Sequence, residues 1–147
     1  MSIRNQSAFL CIAIVAISEI GLGLVYLTAS EAMPYHKQAL GSEWSQLEPG
    51  ARMLLLTLLN GYGSTHLAVG IALGALLLYP IRRGQLWARW AILATGLPVL
   101  GATAFLSHRL ASTTGANVPW PGAVGLLGLF VLGVALADPR AQTQQNP

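Results

Sequence analysis

From Ala8 to Ala29 the chain runs for 22 residues with one side chain charged at neutral pH in water, Glu19, near the middle. A helix of that length is about 33 Å long, enough to cross a hydrocarbon core. A charged side chain at the bilayer centre costs about 2.5–3.5 kcal/mol on insertion scales, so an acid found there is normally paired or used. Further apolar stretches follow at 53–79, 88–107 and 122–137. The composition agrees with membrane insertion: 54% of residues are hydrophobic and only 9% charged, whereas soluble domains carry about 25% charged residues. The expectation is an all-α membrane protein with four transmembrane helices in a bundle and a short external amphipathic helix between spans 1 and 2. Residues 1–140 form its single domain, and 141–147 read as a disordered tail. Arg4 and the Ser30-Glu31-Ala32 triplet imitate a secretory signal, but the run exceeds a signal's apolar core, so a retained first span is expected.

The distribution of Lys and Arg gives an orientation. Arg4, Arg82, Arg83, Arg89 and Arg140 fall on one side, and Lys37, Arg52 and Arg109 on the other. Multi-pass insertion in a bacterial inner membrane with both termini cytoplasmic follows as the expectation. Arg82, Arg83 and Arg89 lie close to Trp87 and Trp90, a set suited to lipid headgroups, so membrane lipids are expected partners. No basic stripe with interleaved aromatics occurs, so nucleic acid is not. Gly70 and Gly74 make a GxxxG match extended by Gly63, and Gly122, Gly125, Gly128 and Gly133 mark span 4 as a packing helix. Helix packing of this kind also permits a homo-oligomer. The lone Cys11 excludes an intramolecular disulfide and is expected to pack as a small hydrophobe.

Between spans 1 and 2, His36, Leu40, Trp44 and Leu47 recur at helical spacing, which predicts one amphipathic helix at the membrane surface. Pro49 suits the first turn of span 2. Ser107 to Pro121 reads as a polar loop, and Pro98 as a kink in span 3 that often serves packing, though one opposite Glu19 and His66 would also open a small cavity.

Glu19, Gly23 and Tyr26 fall at i, i+4 and i+7 and so share a face that should look inward. His66 sits at the centre of span 2, and both residues lie about 17–20 Å from their side of the membrane. Antiparallel neighbours would bring them together, giving a ligand-binding set of Glu19, His66, Asn60, Tyr62 and Thr65. A carboxylate beside an imidazole can exchange protons, accept a cation, or act as acid and base on a lipophilic molecule. The competing reading is a hydrogen bond that merely fixes helix register. His36 and His108 lack metal-ligand spacing, and no HExxH, GxSxG, GxGxxG or nucleotide-binding loop occurs. No metal, cofactor or catalytic residue is therefore expected.

The order MPYHKQALGSEW, then Leu59-Asn60-Gly61, then RRGQLWARWA resembles small bacterial four-span membrane proteins. That resemblance implies an architecture and no activity. Ala16-Ile17-Ser18-Glu19-Ile20-Gly21 is similar to the first helix of small multidrug resistance transporters, whose mid-helix glutamate binds protons and cationic drugs. This implies such a role for Glu19 over a stretch of six residues, while the later spans depart from that family's pattern. The layout is also similar to four-span isomerase and sigma-2-like bundles, which place buried acids in a lipophilic cavity. The function expected is binding or transport of a small lipophilic or cationic ligand at a buried Glu/His site. The alternatives are an accessory subunit of a membrane complex and a lipid-modifying enzyme.

Overall fold

A computed structural model describes residues 3–83 and 85–137. The described chain is helical, and no strand occurs among these residues. Five helices follow one another: α1 (Ile3–Leu27), α2 (Pro34–Leu40), α3 (Pro49–Leu76), α4 (Leu86–Thr114) and α5 (Trp120–Leu136). α1, α4, and α3 together with the turn that continues it are long and apolar enough to cross a membrane; α5 is apolar but has 17 residues. Arg140 and the expected tail lie outside the described residues, as does Gly84.

The boundaries follow local chemistry. Pro34 and Pro49 each open a helix, where a missing N–H costs nothing. The single amphipathic helix expected over 36–47 is instead split. α2 stops at Gly41, which adopts φ +67°, and a separate 3-10 turn (Trp44–Gln46) follows, closed by the Glu43 and Gln46 side chains. Glycine reaches that left-handed conformation without the Cβ penalty, so it overrides the apolar spacing. The polar loop expected from Ser107 begins only after Thr114. Over 107–114 the Ser and Thr hydroxyls bond back to carbonyls one turn earlier, as Thr114 does to Leu110 at 2.7 Å. These residues thus satisfy themselves while remaining helical. At the other end, α3 continues through a π-helical turn (Leu77–Ile81) containing Pro80, whose missing N–H accounts for the widened pattern.

α1 packs most extensively on α3, and α5 lies against both α1 and α4. The α1–α3 contact is backbone to backbone. A Cβ at Gly63 would stand 2.5 Å from the Leu27 nitrogen, one at Gly23 2.5 Å from the Leu67 nitrogen, and one at Gly70 2.8 Å from the Ala16 oxygen. The close-approach set is therefore Gly23, Gly63 and Gly70, while Gly74 faces open space and takes no part. In α5 only Gly133 meets a neighbouring helix, at Ile12 and Cys11; Gly122, Gly125 and Gly128 are open. Phe130 is fully buried, with its ring seated on Gly96 of α4. Ile12, Val15, Leu73, Ile92 and Leu100 complete the centre of the core.

Two contacts fix which ends coincide. The Arg82 guanidinium lies over the Phe9 ring at 5.3 Å, so the turn after α3 sits beside the start of α1. At the opposite end the Asn117 N–H donates to Gln38 Oε1 at 2.9 Å, tying the segment before α5 to α2.

Candidate functional site

The glycines that bring α1 onto α3 also set the depth at which polar side chains meet. Glu19 shares its face with Gly23 and Tyr26, and all three are buried, as the spacing predicted. His66 lies between Gly63 and Gly70 on α3. Its Nδ1 stands 2.6 Å from Glu19 Oε2, and the two side chains are 0% and 1% exposed. A contact that short requires a proton between the atoms, because two lone pairs would repel.

The polar path continues away from Glu19. His66 Nε2 lies 3.4 Å from Thr103 Oγ1 on α4, and that hydroxyl is 3.1 Å from the Tyr62 hydroxyl. Tyr62 and His66 rings approach to 4.2 Å between centroids. Tyr26 then meets Tyr62 edge-on at 5.0 Å and His36 at 6.2 Å, so aromatic rings run from the buried pair to α2.

Tyr62 and Thr103 form one end of a chamber of about 450 Å³, within the range of small-molecule sites. Leucines of α3 and α4 line it, and α2 covers it with Tyr35, His36 and Ala39. Glu19 and His66 are not part of its lining; they stand behind the two hydroxyls. α2 is held at its edges by the Asn117–Gln38 hydrogen bond and by Lys37, whose Nζ is 3.0 Å from Glu31 Oε2. Within the chamber region His36 Nδ1 is buried with no hydrogen-bond partner. Burial pushes the His36 imidazole below the ordinary histidine range, and burial together with the neighbouring Tyr62 raises Tyr35 to about 12. Both are therefore neutral near pH 7. Because His36 takes up its proton more readily when α2 is undocked, acidification through the ordinary histidine range should loosen α2. Amide exchange over Pro34–Leu40, corrected for intrinsic rates, should accelerate at acid pH, and His36→Gln should remove the difference.

Of the five residues singled out in the sequence, Glu19 and His66 touch, and Tyr62 joins them through Thr103. Asn60 is half-buried, with its Oδ1 unpartnered, and does not line the chamber. Thr65 is exposed and bonds the Gly61 carbonyl at 3.0 Å, because one residue from His66 is a turn of about 100° around the helix. Thr103 was not among them. Pro98 lies on an exposed face of α4, and the open space sits at the α2 end, not beside Glu19.

The chain matches no family model, no curated protein and no solved structure. Towards the other end, Arg83 borders a cleft of about 290 Å³ with Tyr79, Pro80 and Trp87, while Trp87 and Trp90 are exposed.

Proposed function

We propose that this chain is a four-span protein of a bacterial inner membrane, with both termini cytoplasmic, that binds or moves a small lipophilic ligand. The ligand occupies the chamber under α2, and Glu19–His66 is the proton-holding pair behind it. α5 serves as the fourth span, at the lower limit of the length required. The observation that carries the reading is the polar path Glu19, His66, Thr103, Tyr62, which ends in the wall of a chamber lined mainly by apolar side chains. A pair that only fixed helix register would need no such continuation. Arg82, Arg83 and Arg89 in this arrangement face cytoplasmic headgroups.

Native mass spectrometry of the protein released from detergent tests the chamber with N-phenyl-1-naphthylamine, an uncharged probe of suitable size. One probe molecule per chain is expected. Ala39→Trp, which fills the chamber from α2, should weaken binding at least about tenfold by occupying space the probe needs. Undiminished binding in that variant would place the ligand elsewhere. The same spectra report whether the chain pairs with a second copy, for which the open glycines of α5 offer a close-packing face.

A further inference from the structure

No carboxylate lines the chamber. A permanently cationic ligand would find aromatic faces but no counter-charge, whereas an uncharged lipophile matches the leucine and tyrosine walls. The remaining question is which polar group such a ligand carries, and the hydroxyl pair at the inner end answers it.

Thr103 and Tyr62 each own one hydroxyl proton, so the direction of the chain depends on His66 Nε2. With a single proton held between Glu19 and His66 Nδ1, Nε2 is a bare acceptor. It takes the Thr103 proton, Thr103 oxygen takes the Tyr62 proton, and the Tyr62 O–H is turned away from the chamber. With a second proton on the pair, Nε2–H donates to Thr103, Thr103 donates to Tyr62, and the Tyr62 O–H is left to donate into the chamber. Only in the second state can Tyr62 serve a ligand acceptor without giving up its bond to Thr103.

We propose that the ligand is an uncharged lipophile bearing a carbonyl-type hydrogen-bond acceptor, and that its binding takes up one proton at Glu19–His66 through Thr103 and Tyr62. This rests on the chamber being the ligand site. The titratable groups near the pair are Tyr62 on α3 and, beyond it, Tyr26 on α1. α4 brings only the Thr103 hydroxyl, α5 has no titratable side chain, and α2 adds His36 and Tyr35, which line the chamber, with Tyr35 near enough to Tyr62 to be influenced by it. By linkage, an acceptor ligand must bind more tightly as pH falls.

The test is equilibrium dialysis of the full chain in detergent with 1-acetylnaphthalene, which carries a carbonyl, and 1-methylnaphthalene, which does not. Neither probe titrates. Across a pH series the ratio of their affinities should fall as pH rises. The fall should be about fivefold, the worth of one hydrogen bond. Thr103→Val and Glu19→Gln should flatten the ratio, Thr103→Ser should restore its slope, and Tyr62→Phe should bring it towards one at every pH. His36→Gln should leave the slope in place. A pH-independent ratio in the unaltered protein, a slope that survives Thr103→Val, or a slope lost in His36→Gln overturns the proposal while leaving the chamber as the site. Failure of both probes to bind overturns the chamber reading and the proton-coupled ligand class together.

Discussion

Gly63→Val is expected to prevent recovery of folded protein. The added Cβ would meet the backbone of α1, with the Leu27 nitrogen at 2.5 Å, the Gly23 oxygen at 2.8 Å and the Tyr26 carbonyl carbon at 2.9 Å. Backbone cannot rotate aside as a side-chain tip can, so α1 would have to move off α3 bodily. Overpacking a core typically costs 1–3 kcal/mol, and here a loss of more than about 3 kcal/mol is expected because the contact to be broken is the most extensive in the molecule. Gly74→Ala is the control. Its Cβ points into open space, so helix propensity alone operates and stability should hold or rise by up to about 1 kcal/mol. Monodispersity on size exclusion and thermal unfolding in detergent separate the two variants. Equal behaviour would mean that the helices do not cross where these glycines place them.

The second large effect is at the buried pair. His66→Ala removes the imidazole and leaves the Glu19 carboxyl at 1% exposure without its 2.6 Å partner. Breaking a buried pair by deleting one member costs about 3–5 kcal/mol, most of it the stranded group. Glu19→Gln keeps an amide oxygen within reach of Nδ1 and should cost far less, on the order of 1 kcal/mol. The double variant Glu19→Met with His66→Met removes both polar groups at similar volume and should regain most of the stability lost in His66→Ala. It should also lose the pH dependence of the ratio of acetylnaphthalene to methylnaphthalene affinities. Thermal unfolding of the unaltered protein, Glu19→Met, His66→Met and their combination forms a double-mutant cycle. Additivity of the two single changes would show that Glu19 and His66 do not depend on each other.

Glu19 and His66 were legible in the sequence as polar groups at equal depth in consecutive apolar runs, but Asn60, Ser64 and Thr65 were equally available to Glu19, and the choice of His66 comes from the structure. The shared face of Glu19, Gly23 and Tyr26 was legible from helical spacing. Thr103 was not, since a threonine in an apolar helix usually satisfies itself on its own carbonyls, and its hydropathy gives no sign of a contact across helices. Thr65 was misplaced by its nearness to His66 in sequence, which on a helix means a different direction. The chamber was sought beside Pro98, although a proline marks where a helix bends and not where space opens. Its true position depends on α2 folding back over α3 and α4, and that follows from the left-handed turn at Gly41 and a long-range bond to Asn117, neither of which periodicity reports.

His66 stands between the chamber and Glu19, and this has a consequence for what the acid can discriminate. From the chamber, the way to the carboxylate, itself 1% exposed, runs past the imidazole that contacts it, so a ligand in the chamber does not touch Glu19. A bare proton needs no such room, because it advances by exchanging bonds along Tyr62, Thr103 and His66 while every heavy atom stays in place. In the proposed function the imidazole is thus a gatekeeper by particle size, and protons alone would pass it to Glu19.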